Sequence, residues 1–322
     1  MILFTEEEIR KHIRLNADTI QVVEEAFINL ATKRVEMPPI MRIDIPLYNG
    51  EVDVKSAYVE GLDYFAIKVS SGFFNNHKLG LPSGNGLMML FNSKTGQPEA
   101  MLLDNGYLTD IRTAAAGAVA AKHLAREDAR TAGVIGTGSQ ARYQIEALTH
   151  VRDLERVFVY GRKEENILKY INDIEARLGV KVEAVSREEA VRRSDIVVTT
   201  TPATCPVIRA DWLTSGIHVT AMGSDAETKQ ELEAEVLERA DVLVCDVKEQ
   251  SRRLGEIHHA RSQAEMLARA VELGELTAGR IKGRKNAEQI TVCDLTGTGV
   301  QDTAIALYAY TLLKEKKAGA AV

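Results

Sequence analysis

A glycine-rich stretch in the middle of the chain has the residue types and spacing of a phosphate-binding turn. Gly136, Gly138 and Ala141 form a G-x-G-x-x-A pattern that follows the apolar segment Thr131–Ile135 and opens a helical segment. Gly136 permits a tight turn, Gly138 lets the backbone approach a pyrophosphate, and Ala141 keeps the helix near the strand. The helix N-terminus then offers N–H groups and partial positive charge to phosphates. The pattern predicts a dinucleotide site; the alternative is a merely tight strand–helix turn.

The end of the second predicted strand bears on the choice of nicotinamide cofactor. An acidic residue here would accept the ribose 2′-hydroxyl, but the chain reads Tyr160-Gly161-Arg162, with Glu164 the nearest acid. Arg162 suits a 2′-phosphate or stacking on adenine. The local chemistry therefore permits NADP and does not exclude NAD.

Three basic residues in the N-terminal third are candidates for holding an anionic substrate. Arg42 and Lys68 fall in strand-like segments, and alternation puts Lys68 on the same face as Ala66 and Ser70. Arg112 is expected near the start of an alanine-rich helix, where the helix dipole disfavours a cation, so an anionic partner is indicated. The alternative for each is an ordinary exposed position, because most Lys and Arg side chains are exposed.

Asp225 is the candidate acid or base. It stands just past the strand-like segment His218–Met222, and ligands of parallel α/β sheets bind outside the carboxyl ends of the strands. The alternative is an N-cap for the helix that holds Leu232 and Val236.

The elements that must position these residues differ along the chain. The first part opens with a Thr5-x-x-Glu8 capping box and a helix from Asn16 to about Lys33. Strand-like segments separated by turn signals follow at Ile40–Ile45, Val52–Val59, Phe65–Ser70, Leu87–Asn92 and Ala100–Asp104. This pattern predicts a mainly antiparallel sheet carrying helices.

After Leu108 and an alanine-rich helix at Thr113–Leu124, strands and helices alternate. Further strand candidates are Val157–Tyr160, Val180–Ala184, Ile196–Thr200, His218–Met222, Val242–Cys245 and Ile290–Cys293. The alternation predicts an α/β protein with a Rossmann-type, doubly wound parallel sheet and a second, α+β domain. We expect residues 1–115 with the C-terminal helix region 302–322 to form the α+β substrate domain, and 116–301 the dinucleotide-binding domain.

Composition excludes several classes of protein. The 322 residues are 45% hydrophobic and 27% charged, which is too apolar for a disordered chain, and the apolar runs are too short to span a membrane. A net charge of −6 without a basic stripe argues against nucleic-acid binding. We expect a cytoplasmic protein with three buried, reduced cysteines and no metal site, because the Cys and His residues lack ligand spacing.

Four blocks of sequence, in order and nearly spanning the chain, resemble the signature blocks of one known family. They are Asn76–Ser83, Asp110–Ala116, Gly136–Ala141 and Gly223–Leu232. The family is that of ornithine cyclodeaminase and mu-crystallin, and within it the chain looks closest to the archaeal alanine dehydrogenases, which are NAD-linked.

The resemblance implies a homodimer joined through the first domain, with NAD(H) or NADP(H) bound by the second. It implies that Lys68 is the active-site lysine, that Arg42 and Arg112 hold the substrate carboxylate, and that Asp225 is an acid/base residue. The cofactor contacts it implies are Ser83, Arg112, Gly138, Ser139, Gln140, Tyr160, Gly161, Arg162, Ala221, Met222, Gly223 and Lys229.

One departure from the family pattern bears on the reaction. Ornithine cyclodeaminases tend to read Asp-x-Pro-Gly-Lys, whereas this chain has Asp225-Ala226-Glu227-Thr228-Lys229, which counts against cyclisation of ornithine. The expected reaction is the reversible, NAD-dependent oxidative deamination of L-alanine to pyruvate and ammonium. The alternatives are a cyclodeaminase-type lyase, a ketimine reductase, and a binder of NAD(P)H and small ligands without turnover.

Overall fold

The computed structural model describes residues 1–321 and divides into two compact units. Unit 1 comprises residues 1–112 and the chain from Thr298 onward, and unit 2 comprises Thr113–Gly297. The sequence-based borders are 115/116 and 301/302.

The helices and strands are numbered in chain order. The first part contains β1 (Ile2–Thr5), α1 (Glu6–His12), α2 (Ala17–Thr32), β2 (Val35–Glu36), β3 (Met41–Ile45), β4 (Gly50–Val59), β5 (Tyr64–Phe73), β6 (Gly84–Asn92), β7 (Pro98–Leu103) and α3 (Tyr107–Leu124). Next come β8 (Thr131–Ile135), α4 (Ser139–Thr149), β9 (Arg156–Tyr160), α5 (Glu164–Leu178), β10 (Lys181–Ala184), α6 (Arg187–Arg192), β11 (Ile196–Thr199), β12 (Thr204–Ile208) and β13 (His218–Ala221). The chain ends with β14 (Gln230–Leu232), α7 (Ala234–Glu238), β15 (Val242–Cys245), α8 (Lys248–Ser251), α9 (Gln263–Arg269), β16 (Val271–Glu272), α10 (Leu273–Thr277), β17 (Thr291–Asp294), α11 (Gly299–Glu315) and β18 (Ala320–Ala321).

Unit 1 is built on a mixed, mainly antiparallel sheet of strand order β18-β1-β7-β6-β5-β4-β2, with β3 also paired to β4. Only the β1–β7 pairing is parallel among the described strands. The helices begin where the sequence provides caps: Thr5 and Glu8 form the expected capping box, and Asn16 caps α2. The predicted antiparallel sheet is confirmed.

Unit 2 is built on a parallel sheet of order β10-β9-β8-β11-β13-β17-β15-β16. The first strand, β8, lies between β9 and β11, so the strand order reverses beside it. Such a reversal is the topological switch point at which doubly wound folds bind ligands. The Rossmann-type fold class is confirmed, and the glycine pattern follows the strand at the switch point.

Helix α3 begins earlier than the sequence suggested. It starts at Tyr107, so Arg112 lies in its second turn and the expected conflict between this cation and the helix N-terminus is wrong. The alanines of the following turns are buried, and their small side chains permit close packing. The expectation of a buried thiol is wrong for Cys205, which is exposed because β12 lies outside the main sheet.

None of the helices within residues 1–321 is long and apolar enough to cross a membrane. In the same described part, no group of three or more His, Cys, Asp or Glu side chains is arranged to hold a metal ion.

Candidate active site

The sheet of unit 1 buries basic side chains on one face. Lys68 of β5 lies directly opposite Lys55 of β4 and Met88 of β6, and opposed residues of antiparallel strands share a face. Lys55 is 6% exposed and Lys68 is 1% exposed. Because a buried charge is costly unless it is paired, this face needs acidic partners.

Helix α11 supplies the acidic partner. Asp302 is fully buried, with Oδ2 3.1 Å from Lys68 Nζ and Oδ1 2.9 Å from Arg112 Nε. Arg112 Nη1 also donates to Gln301 Oε1 at 3.2 Å. The structure therefore brings together Lys68 and Arg112, as two predicted site residues, through a carboxylate that sequence reasoning missed. The available signal was an acid in the first turn of a helix whose neighbouring residues are apolar or uncharged.

The seating of α11 on the sheet explains how Asp302 reaches Lys68. A Cβ at Gly299 would stand 2.2 Å from the carbonyl oxygen of Ser56, so only glycine allows this close approach. The Thr303 hydroxyl donates to the carbonyl of Ala57 at 2.8 Å and accepts from the N–H of Ala66 at 3.1 Å. The first turn of α11 is thus fastened to β4 and β5.

These surroundings shift the pKa of several groups. Burial, reinforced by Arg112, lowers the pKa of Lys68 to about 7, although Asp302 opposes the change. Burial raises the pKa of Asp104 to about 6, and its Oδ2 accepts from the N–H of Leu108 at 2.7 Å. Burial alone would raise the pKa of Asp302, but Arg112 and Lys68 outweigh it and hold that pKa low. Lys68 can therefore gain or lose a proton near neutral pH.

The balance of charge on this face favours a small anion. The three basic side chains of Lys55, Lys68 and Arg112 outnumber the two acids beside them, Asp302 and Asp104. A guanidinium can bind a planar carboxylate through two parallel hydrogen bonds. The arrangement can bind a carboxylate and hold or release a proton beside it.

Arg42 occupies a different environment on the same face of the sheet. It lies opposite Asp53, two residues before Lys55. Its guanidinium forms ion pairs with three carboxylates, those of Asp44 at 2.9 Å, Glu51 at 2.5 Å and Asp53 at 3.5 Å. Arg42 is not part of the ion-pair cluster around Asp302.

Ser83, the unit 1 residue predicted to contact the cofactor, is exposed just before β6. Its carbonyl accepts a hydrogen bond from the N–H of Phe73 at 2.7 Å. The bond fixes the backbone of this exposed residue.

In unit 2 the glycine turn has the expected local geometry. Gly136 has φ of +125°, and a Cβ there would stand 2.5 Å from the Thr200 hydroxyl, so the position requires glycine. Gly138 caps α4 with ordinary extended backbone, and a Cβ there would meet nothing within 4 Å. Ala141 is fully buried, as close helix–strand packing demands. The open space beside Gly138 is a cradle that suits a pyrophosphate.

The remaining predicted contacts near this turn lie around it. Ser139 and Gln140 begin α4. The carbonyl of Tyr160 accepts from the N–H of Gly136 at 2.9 Å, and a Cβ at Gly161 would stand 2.7 Å from the Thr137 side chain. The end of β9 therefore lies directly against the turn, with Arg162 exposed just beyond it.

Asp225 lies in the irregular segment that follows β13, four residues beyond Ala221. Its side chain is 38% exposed, and its Oδ1 lies 2.7 Å from Lys229 Nζ, so two predicted site residues form an ion pair. The helix-capping alternative for Asp225 is wrong, because α7 begins at Ala234 with Glu233 at its N-cap.

A buried glutamate that sequence reasoning assigned no role holds this segment. Glu231 accepts from the Thr199 hydroxyl at 2.6 Å, the Thr201 N–H at 2.6 Å and the Gly223 N–H at 2.8 Å. Burial raises the pKa of Glu231, and these hydrogen bonds act in the opposite direction. Glu231 thereby ties the end of β11 to Met222-Gly223, the start of the segment that carries Asp225. The sequence offered one sign that Glu231 is buried: it stands next to the apolar Leu232 at the end of the Gly223–Leu232 block.

The candidate residues thus form two sets. Unit 1 holds Lys68, Arg112 and Asp302, with Arg42 and Ser83 elsewhere in the same unit. Unit 2 holds the glycine turn, the ends of β9 and β13, and the Asp225–Lys229 pair. The convergence of both sets on one ligand remains a prediction.

Comparison with known proteins agrees with these features. The family model for the ornithine cyclodeaminase/mu-crystallin family matches residues 1–317. A provisionally named dehydrogenase of Rhizobium meliloti is 52% identical over 322 residues, covering 99% of this chain and 98% of that protein.

Two solved structures have the same fold along their whole length. Delta(1)-pyrroline-2-carboxylate reductase of Thermococcus litoralis, in complex with NADH and L-proline, is 33% identical with a TM-score of 0.93, covering 100% of both chains. An archaeal alanine dehydrogenase dimer with bound NAD is 35% identical with a TM-score of 0.91, covering 100% of this chain and 98% of the other. A whole-length family match and relatives of this identity lead to one conclusion: the chain belongs to the ornithine cyclodeaminase/mu-crystallin family.

Proposed function

We propose that this protein is an NAD-dependent oxidoreductase that acts at the α-carbon of a small amino acid, with L-alanine as the first candidate substrate. In the proposed reaction L-alanine, NAD⁺ and water give pyruvate, ammonium, NADH and a proton, reversibly. The observation that carries the proposal is the buried basic face around Lys68 and Arg112, which fits the carboxylate shared by amino and keto acids.

Each residue has a proposed role in this reaction. Arg112, assisted by Arg42, holds the substrate carboxylate and so orients the α-hydrogen. Lys68 holds a proton near the carbon that becomes a carbonyl and polarises it. Asp225 accepts a proton from the substrate ammonium or from the attacking water. NAD, when bound, supplies the hydride acceptor.

The residues of the glycine turn fit this cofactor. Gly136 and Gly138 leave room for the pyrophosphate, as the open space beside Gly138 indicates. We propose that Ser139, Gln140, Lys229, Ser83 and the ends of β9 and β13 complete the contacts. The exposed Arg162 leaves NADP as a second cofactor to test.

A second candidate function is the reduction of a cyclic imino acid. It is favoured by the similarity to the Thermococcus litoralis reductase with NADH and L-proline. A cyclic imine keeps the carboxylate but needs no water to attack, so Arg112 and Lys68 would serve both reactions alike. The two reactions differ in whether ammonium is exchanged.

A substrate panel followed by absorbance at the NADH band tests both proposals. L-amino acids with NAD or NADP, pyruvate with ammonium and NADH, ornithine, and cyclic imines with NADH are each assayed. Net NADH formation with L-alanine, and oxidation with pyruvate plus ammonium, supports the dehydrogenase. Turnover of a cyclic imine alone supports the reductase, and ornithine consumed without net NADH identifies a cyclodeaminase. Binding of NADH without turnover of any of these overturns the enzyme proposal.

We also propose that the protein forms a homodimer through unit 1. Four large apolar side chains near strand β3 are exposed: Met41 by 55%, Ile43 by 51%, Leu47 by 82% and Tyr48 by 62%. A cluster of this kind on a strand paired only with β4 among the described strands is typical of an interface. The archaeal alanine dehydrogenase, which is a dimer, supports a second copy as the partner.

Light scattering on two variants tests the dimer. Ile43→Lys should give monomers at micromolar concentration, whereas Leu168→Lys, on the exposed face of α5 in unit 2, should leave the mass unchanged. A dimer that survives Ile43→Lys with unchanged dissociation would place the interface elsewhere.

A further inference from the structure

Sequence reasoning gave Asp302 no chemical role, yet its carboxylate joins Lys68 and Arg112, the two basic residues of the proposed substrate site. We propose that Asp302 is a positioning residue that sets the spacing of Lys68 and Arg112 and favours the protonated form of Lys68 during turnover. The role of these two bases rests on the proposed function; the ion pairs themselves do not.

The two carboxylate oxygens of Asp302 are divided between two partners. Oδ2 lies 3.1 Å from Lys68 Nζ and Oδ1 lies 2.9 Å from Arg112 Nε. A single planar group therefore fixes the separation of an ammonium on β5 and a guanidinium on α3. Arg112 Nη1 bonds to Gln301, so the same turn of α11 holds its guanidinium at two points. Neither base can change rotamer without breaking a buried ion pair.

The position of Asp302 is itself rigid. Gly299, three residues earlier, approaches the backbone of Ser56 so closely that a side chain would not fit. Thr303, the next residue, bonds to the backbone of both β4 and β5. The carboxylate is therefore held in place before any substrate arrives, which is what preorganisation requires.

The groups that face Lys68 come from several elements. Lys55 faces it from β4, Met88 from β6, Arg112 from α3 and Asp302 from α11, while Asp104 in the segment after β7 acts on it electrostatically. Burial, Arg112 and Lys55 all disfavour the charged ammonium, and Asp302 is the acid that opposes them most directly. Its removal would therefore lower the pKa of Lys68 further and favour the neutral amine.

A purely structural role offers the competing explanation. An acid in the first turn stabilises a helix through its interaction with the helix dipole. This effect would account for an aspartate near the start of α11 without any part in turnover. The two explanations differ in their consequences. A helix-stabilising acid affects only the unfolding of the protein, whereas a positioning residue alters how Lys68 titrates.

The test compares three variants across a pH series. In Asp302→Asn the alkaline limb of kcat/KM should move to lower pH by about one unit or more, and kcat/KM at pH 8 should fall by tenfold or more. Asp302→Glu, which keeps the charge, should restore part of the shift. Asp18→Asn removes an exposed acid from the first turn of α2, so it tests the helix-dipole explanation and should lower the melting temperature slightly while leaving the limb in place.

A second measurement does not depend on turnover. The ¹⁵N shift of Lys68 Nζ, identified by its loss in Lys68→Met, is followed against pH in the full-length protein without substrate. A lower titration midpoint in Asp302→Asn supports the inference even if every substrate in the panel fails. An unchanged midpoint in a folded Asp302→Asn protein overturns it, whichever reaction the enzyme performs.

Discussion

Glu231 accepts a hydrogen bond from the backbone N–H of Gly223 at 2.8 Å, and a Cβ at Gly223 would stand 2.6 Å from the same carboxylate oxygen. The bond and the missing side chain are two aspects of one requirement. The backbone after β13 must come within hydrogen-bond reach of a buried carboxylate, and only glycine leaves the space. The segment that carries Asp225 starts from this fixed point.

Replacement of Glu231 by glutamine should therefore loosen that segment. One oxygen becomes an NH₂ group, which cannot accept from backbone N–H groups, and an unpaired buried donor costs about 1–3 kcal/mol. We expect a lower melting temperature and weaker binding of NADH, measured by calorimetry and fluorescence. Glu238→Gln, on the exposed end of α7, is the control and should change neither. A stable Glu231→Gln protein with ordinary NADH affinity would contradict this account.

A methyl group at Gly138 should separate folding from cofactor binding. Its backbone is compatible with alanine and the added Cβ meets nothing, so Gly138→Ala should fold with nearly unchanged stability. The same methyl group would occupy the space assigned to the pyrophosphate, so the Kd for NADH should rise at least tenfold.

The matched control for this prediction is Gly179→Ala at the end of α5. Gly179 has φ of +68°, so alanine there is strained and should destabilise the protein by about 1 kcal/mol. NADH affinity should be unaffected. Equal NADH affinity in Gly138→Ala and the unmodified protein would move the cofactor away from this turn.

Removal of the Lys68 side chain should abolish turnover without disturbing the cofactor. Lys68→Ala should lose about 10²–10⁴-fold in kcat, the usual contribution of a positioned proton donor or acceptor. NADH binding should stay nearly intact, because the glycine turn lies in unit 2. Steady-state kinetics and a fluorescence titration on the same preparation check both parts. Turnover that survives the change removes Lys68 from the mechanism.

The buried His218 should make unit 2 sensitive to acid. Its ring nitrogens contact the hydroxyls of Thr291 and Thr220 at 2.9 Å each, and burial, assisted by Arg284, lowers the pKa of His218 to about 3. Between that value and the ordinary 6.5 the unfolded chain binds the extra proton, so this group lowers stability as pH falls through that window. Stability from His218 is complete above about pH 6.5.

Denaturant unfolding at several pH values checks this prediction. His218→Asn keeps hydrogen-bonding capacity but cannot take up a proton, so its free energy of unfolding should be lower at pH 7 yet fall less between pH 6.5 and 5. The difference between the two proteins isolates His218 from the buried acids that titrate in the same range. Parallel curves would show that His218 takes up its proton equally in the folded and the unfolded state, and would contradict the lowered pKa.

Local sequence signals predicted the fold well. The capping box at Thr5 and Glu8, the alternation that places Lys68 on its face, and the glycine turn each depend on neighbours in the chain, and each is present. Strands β1 and β18 were missed because their lengths of four and two residues give no periodicity.

The site was predicted only in part, because its ion pairs join distant parts of the chain. Lys68 and Asp302 meet through the topology of unit 1, and no local pattern links them. Arg42 shows the same limit: it matches a family position, but its contacts with Glu51 and Asp53 depend on the register of β3 and β4, which the sequence pattern does not specify. The sequence shows which side chains carry a charge, but it does not show which of them form ion pairs with one another.

Unit 1 is discontinuous: Arg112 is its last residue before the chain enters unit 2, and Asp302 follows soon after the return. During synthesis, Lys68 and Arg112 therefore leave the ribosome long before the carboxylate that will neutralise them. Their burial has to await the final helix, whereas the parallel sheet of unit 2 is already complete by then. The order of translation thus leaves assembly of the proposed catalytic centre to the last stretch of the polypeptide, so that a prematurely terminated chain cannot form it.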